Sequence, residues 1–258
     1  MNATRTTRLL VIPTYNEAGN LERLVEAVHR LGLGLDLLVV DDHSPDGTGA
    51  LAELLAARLP LAVLHRSGKL GIGSAHKDGL RYAIERGYTH VLTMDADLSH
   101  SPAYLGPMLA RAAEADVVLG SRYVQGGGFH RFAFHRLLLT KIVHRLTTVL
   151  LGLPYDCTGG LRCYRVAALR RLDMAQVPSD GHAFLIEILF ALTRLGCAIV
   201  EYPIVFQPRE QGCSKVSAAE LHRSAWALTR LALQRRDAAW MPAPSLCAAD
   251  ALSEKAQP

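Results

Sequence analysis

Five short apolar runs, at 8–13, 36–41, 61–64, 89–93 and 116–121, alternate with stretches whose apolar residues fall at helical spacing. Leu21, Leu24, Val25, Val28 and Leu31 mark one helix face, which Gly32 stops. Leu51, Leu54 and Leu55 mark a second, residues 75–86 form a third, and Leu105, Met108, Leu109 and Ala112 mark a fourth. Short strands separated by helices build a parallel sheet covered on both faces. The expected class is therefore α/β, a mostly parallel central sheet flanked by helices. Ligands of such sheets bind beyond the carboxyl ends of the strands, so the loops after each run carry the chemistry.

The loop after the fourth run reads Asp95-Ala96-Asp97-Leu98-Ser99-His100-Ser101-Pro102. Two carboxylates at that place suit a hard divalent cation, which takes oxygen ligands, keeps some waters and bridges to substrate phosphates. Alone, the pair fits a helix cap or a solvated loop equally well. No GxGxxG follows the first run, which argues against a dehydrogenase-type dinucleotide site. Gly68-Lys69-Leu70-Gly71-Ile72-Gly73 follow the third run instead, where glycines by themselves only turn the chain.

The 258 residues suffice for one domain, expected over 1–236. Residues 237–258 lack apolar periodicity and read as a flexible tail. A net charge of +4 fits phosphate-bearing substrates or an anionic membrane surface and does not single out nucleic acid. Cys157, Cys163, Cys197, Cys213 and Cys247 form no CxxC, as expected of reduced thiols in the cytoplasm. The chain starts without a signal peptide, and no run reaches the roughly 20 apolar residues of a spanning helix. A soluble or peripheral cytoplasmic protein is expected.

Several motifs occur in order: Pro13-Thr14-Tyr15-Asn16-Glu17, Val40-Asp41-Asp42 with Ser44-Pro45-Asp46-Gly47-Thr48, the Gly68–Gly73 segment and Asp95-Ala96-Asp97. Gly120-Ser121-Arg122-Tyr123, Asp156-Cys157-Thr158-Gly159-Gly160-Leu161-Arg162 and Arg209-Glu210-Gln211-Gly212-Cys213-Ser214-Lys215 follow. Together they resemble the family-2 glycosyltransferases of GT-A fold, and among these the polyprenol- or dolichol-phosphate mannose synthases. The likeness runs from about Leu9 to Ser217.

The resemblance implies an inverting, metal-dependent mannosyl transfer from GDP-mannose to a polyprenyl phosphate. By the same likeness Pro13, Tyr15, Glu17, Val40 and Asp42 hold the guanine nucleotide. Asp95, Ala96 and Asp97 belong to the GDP-mannose site, and Asp95, Asp97 and Ser99 are the expected ligands of Mg²⁺ or Mn²⁺ held against the diphosphate. Arg122, Arg209 and Lys215 meet the donor diphosphate or the acceptor phosphate, with Arg136 as a further candidate; the guanidinium fork suits phosphate oxygens. Asp97, Arg122, Arg136 and Arg209 are the expected catalytic set. Glu187 matches the family without a role to assign.

Residues 129–151 contain an imperfectly amphipathic basic helix, with Leu138, Ile142, Arg145 and Val149 against Lys141, His144 and Thr148. It reads either as an acceptor-side helix lying on a membrane surface or as a helix packed on the sheet with a solvated basic face. The acceptor side departs most from the family, which usually has Gly at His43, Tyr at His76, Trp near Phe134, Ser at Thr140 and Asn at His144. Other readings are a related transferase using UDP-glucose, a nucleotidyltransferase, for which the N-terminal Gly-rich phosphate loop is missing, and a non-catalytic nucleotide-sugar binder. The prenol, the metal, any partner subunit and the oligomeric state are not specified by these motifs.

Overall fold

The computed structural model describes residues 7–131, 134–208 and 218–236, apart from the side chains of His135, Arg136, Ala218, Ala219, Leu221 and Arg236. The first half alternates as expected: β1 (Arg8–Thr14), α1 (Ala18–Arg30), β2 (Asp36–Asp41), α2 (Thr48–Ala56), β3 (Leu61–His65), α3 (Ile72–Glu85), β4 (His90–Thr93), α4 (Leu105–Arg111) and β5 (Val117–Ser121). The second half is less regular. It comprises β6 (Gly128–Phe129), α5 (Phe134–Leu146) running on into a π turn (Thr147–Leu151), β7 (Arg162–Arg165), α6 (Val166–Leu169), α7 (Phe184–Arg194), β8 (Ile199–Pro203), β9 (Val205–Phe206) and α8 (Ala218–Arg236). The tail 237–258 lies outside the described residues.

The main sheet has the order β3-β2-β1-β4-β7-β5-β8. Every neighbouring pair is parallel except those of β7, which runs antiparallel to both β4 and β5. Pro13, expected to end the first strand, lies within β1 opposite Val40. Pairing with β4 has already ended at Val11, so the missing N–H on that edge costs nothing. The chain order reverses between β1 and β4, and this switch point is where a ligand cleft forms.

Alternate residues of β1 enter opposite cores. Leu9 and Val11 pack with Leu80 and Ala83 of α3 and Leu189 of α7. Leu10 and Ile12 pack with Leu21, Leu24, Val25 and Val28, the predicted face of α1. Gly79 lets α3 approach closely, since a Cβ there would run into the methyl groups of Val11. Cys157, Cys163 and Cys197 are free and buried; Cys213 and Cys247 lie outside the described residues. No helix among the described residues is long and apolar enough to cross a membrane.

Candidate active site

A cavity of about 410 Å³ opens at the switch point. The loop after β1 contributes Pro13, Tyr15 and Glu17, the loop after β2 contributes Asp42, and the loop after β4 contributes Asp95, Ala96 and Asp97. Seven of the predicted site residues thus share one wall-to-wall space. Val40 does not join them. Its side chain is fully buried in the core with Ala75 and Leu80, which leaves only its backbone for binding.

The first two loops are knitted together by the motif at residues 44–48. Asp41 accepts from Thr14 Oγ1 at 2.9 Å and from Ser44 Oγ at 2.6 Å, while Ser44 Oγ accepts from the Asn16 N–H at 3.0 Å. Thr48 Oγ1 accepts from Glu17 N at 2.9 Å, and Asp46 accepts from Ala18 N at 3.1 Å. Both loops pass through the left-handed region, at Asn16 (φ 56°) and His43 (φ 58°). The conformation at His43 explains why glycine is usual there. The Glu17 carboxylate is held from below by Asn20 Nδ2 at 2.9 Å.

Asp42 has both oxygens engaged. Arg66 Nη1 donates to Oδ1, and Gly71 N donates to Oδ2 at 2.9 Å. Burial raises the Asp42 pKa, with Gly71 and Arg66 pulling the other way. Arg66 itself is buried, pairs with Asp78 through Nε at 3.1 Å and donates to Ser74 Oγ. It was not expected from sequence: a lone arginine after a strand carries no signal. Lys69, another residue not singled out, lines the cavity with its Nζ 4.2 Å from the centre of the Tyr15 ring.

At the end of β4, Asp95 reaches the cavity with 28 % of its side chain exposed. Asp97 Oδ1 accepts from Ser99 N at 3.0 Å across Leu98, which has φ 59°. Ser99 differs from expectation. Its side chain is fully buried away from the cavity lining, and its Oγ has no partner among the described residues. The observed contribution of Ser99 is the backbone N–H that orients Asp97. His100 Nε2 sits 3.7 Å from Asp95 Oδ2, and burial takes its pKa down to about 4, so the ring is neutral at physiological pH.

Among the described residues no three His, Cys, Asp or Glu side chains gather into a metal cage. Two carboxylates beside an open cavity fit Mg²⁺ or Mn²⁺, ions that complete their coordination with water and substrate phosphate. Asp95 is packed from behind by the turn that precedes β7. A Cβ on Gly160 would fall 2.8 Å from Asp95 Oδ1, and the Gly160 carbonyl accepts from Thr93 Oγ1 at 2.6 Å.

Arg122, at the end of β5, is not presented as an open phosphate fork. Nε and Nη2 donate to Asp156 at 2.7 and 2.6 Å, and Nη2 also meets Thr158 Oγ1 at 2.6 Å. Burial favours the neutral guanidinium, but the Asp156 carboxylate outweighs it and raises the Arg122 pKa; burial likewise opposes ionisation of Asp156, which Arg122 overrides to lower its pKa. Asp156 N–H in turn donates to Glu201 Oε1 at 2.8 Å. Arg162 is wholly buried and donates to three backbone carbonyls, of Gly159, Leu185 and Cys157, at 2.8–2.9 Å. It thereby fixes the turn that carries Thr158 and Gly160.

The backbone of Arg136 lies in α5, while its side chain, Arg209 and Lys215 lie outside the described residues. The chain reaches that last segment from Gln207, whose N–H donates to Ser99 O at 2.9 Å, and resumes in α8, where Glu220 and Arg223 line the cavity. Glu187 now has a place: buried on α7, it accepts from Ser179 N and Oγ at 2.9 and 2.6 Å and from Arg230 of α8. Two departures meet Tyr123. Its ring stacks on His144 at 4.0 Å, and its hydroxyl donates to the Thr140 carbonyl at 3.2 Å.

Residues 9–173 match the family model described as Glycosyl transferase family 2. The chain belongs to glycosyl transferase family 2. Among its relatives, a polyprenol monophosphomannose synthase of Mycolicibacterium smegmatis is 40% identical over 232 residues, covering 88% of each chain. An undecaprenyl-phosphate mannosyltransferase of Micrococcus luteus is 40% identical over 230 residues, covering 88% of this chain and 95% of that one. Among solved structures, glucosyl-3-phosphoglycerate synthase from Mycobacterium tuberculosis, in complex with Mn²⁺, UDP-glucose and phosphoglyceric acid, superposes with a TM-score of 0.64 at 18% identity. The match covers 90% of this chain and 80% of that one. The family-2 chain therefore has the GT-A fold expected from its motifs.

Proposed function

We propose that this family-2 transferase moves mannose from GDP-mannose to a polyprenyl monophosphate, inverting the anomeric carbon. The observation that carries the reading is the meeting of Asp95 and Asp97 with Tyr15, Glu17 and Asp42 on one cavity. The two relatives at 40% identity, named for mannosyl transfer to a polyprenyl phosphate, support it.

A phosphate monoester, with its second pKa of about 6, is already an anion at neutral pH, so the acceptor needs no general base. Its oxygen attacks the sugar C1 while the C1–O bond to the diphosphate breaks and GDP leaves with the electron pair. The obstacle is charge, since two anionic reactants must meet beside two aspartates. Asp95 and Asp97 would hold Mg²⁺ or Mn²⁺, which supplies charge neutralisation to the leaving diphosphate. Tyr15 offers a flat face to the base, and Glu17 and Asp42 accept from base N–H groups or ribose hydroxyls. Arg122, clamped by Asp156, adds fixed positive potential. Direct phosphate contacts then fall to Arg209, Lys215 and Arg136, as the family pattern implies.

Attachment to a membrane surface is supported by α5 and the π turn after it. Phe134 is 80% exposed, and Leu138, Leu139, Ile142, Leu146, Val149 and Leu150 are also exposed, with exposed Lys141 and Arg145 among them. The inward side carries His144 against Tyr123, so the apolar residues face out. An outward apolar surface set with cations suits anionic headgroups.

The test is transfer of labelled mannose from GDP-mannose into organic-extractable product, with a panel of prenyl phosphates, GDP and UDP as competitors, and EDTA. The reading predicts inhibition by GDP, a requirement for the phosphate and loss of turnover in chelator. Equal use of a neutral prenol, preference for a UDP-sugar or full activity in EDTA would overturn it.

A further inference from the structure

We infer that Lys69 reads the base of the donor nucleotide and, with Glu17, selects guanine; this rests on the GDP-mannose reading above. Lys69 lies on the loop after β3, which is pinned to Asp42 by the Gly71 N–H at 2.9 Å. Its Nζ stands 4.2 Å from the centre of the Tyr15 ring, and both residues line the cavity. Two residues past Tyr15, the Glu17 carboxylate is oriented by Asn20, which is only 3% exposed. The aromatic ring therefore shares one cavity with a group that only donates and a group that only accepts.

A base stacked on Tyr15 displaces the ammonium from the ring, and the four-carbon stem lets it move to the base edge. The edge that satisfies both neighbours has an acceptor beside adjacent donors. Guanine offers O6 next to N1–H and the 2-amino group, while adenine puts an amino donor where guanine has O6. Uracil offers a carboxylate only a single N–H. Lys69 is thus a specificity-determining residue that favours O6 and disfavours the adenine amine.

The test is Lys69→Met in the full chain, which keeps the stem and removes the donors; the residue is exposed, so the melting temperature should not move. Calorimetry with Mg²⁺ measures binding of GDP, inosine diphosphate and ADP to both proteins. The two nucleotides that carry O6 should weaken by about tenfold and ADP should not change. Equal weakening of all three would place Lys69 on the diphosphate and overturn the assignment, as would no change in any. Preference of the unaltered protein for UDP over GDP would sink the donor reading itself. A GDP-to-ADP affinity ratio that is unchanged by the substitution sinks the assignment of Lys69 alone.

Discussion

Arg122 closes on both oxygens of Asp156, at 2.7 Å from Nε and 2.6 Å from Nη2, with the carboxylate wholly buried. Removing one partner strands the other charge out of water. Asp156→Asn should destabilise the fold by about 3–5 kcal/mol, read as a drop in denaturation midpoint. Replacing both partners, Arg122→Met with Asp156→Leu, should recover most of that stability while leaving transfer far below the unaltered enzyme. Full activity in the double variant would remove Arg122 from the electrostatic role assigned to it.

Gly160 faces Asp95 so closely that any side chain must move the carboxylate. Gly160→Ala should lower turnover by about a hundredfold through a displacement of 1 Å or less. The far-ultraviolet circular dichroism should be unchanged, and the Mg²⁺ or Mn²⁺ concentration for half activity should rise. Unchanged metal dependence would show that Asp95 tolerates the displacement.

His76 is fully buried, stacked on Phe184 at 5.6 Å, and burial lowers its pKa from 6.5 to about 3, with Arg162 and His182 adding to the effect. The unfolded chain therefore binds a proton that the folded chain refuses between those two values. Stability is fully present above pH 6.5 and falls as pH drops, by about 1.4 kcal/mol per pH unit in that window. His76→Phe should flatten this slope between pH 6.5 and 4.5 in urea titrations, whatever its effect at pH 7. An identical slope would mean that the ring is already protonated in the folded state.

His43 is exposed and held at φ 58°. His43→Gly removes the clash of a Cβ in the left-handed region and should stabilise the fold by about 0.5–1 kcal/mol. Chemical denaturation reads this directly, and a loss of stability would argue for a contact made by the imidazole.

The apolar face of α5 should govern membrane attachment. Phe134→Ser with Ile142→Ser should weaken sedimentation with anionic vesicles by about tenfold per side chain. Turnover on a water-soluble short-chain prenyl phosphate should be unaffected. Unaltered vesicle binding would move the attachment site off this helix.

The half of the sheet that lines the cavity was legible because β1, β2 and β4 are apolar runs long enough to stand out, and their loops carry the recognisable carboxylates. Burial of charge hid much of the rest. β7 has only four residues and opens with Arg162, whose position looks solvent-facing until the carbonyls around it are seen. α7 is buried at every position but the last, so no polar stripe betrays its period. Glu187 finds Arg230 and Arg66 finds Asp42 across distant stretches of chain, pairings that spacing cannot announce. On α5, polar His144 turns inward because Tyr123 gives its ring a stacking partner, while the leucines face out.

β7 is the strand that joins the ladder ending at β4, beside the cavity, to the β5–β8 ladder that leads into Arg122. Its four residues act as a gauge block: Thr93 and Leu119 are both matched to Arg162, so the span from the aspartates to the guanidinium is set by one backbone register. A slip of a single pair would reverse which face of β7 is buried. The spacing between the cavity's aspartates and Arg122 is therefore written into the ladder itself, and drift in the outer loops leaves it undisturbed.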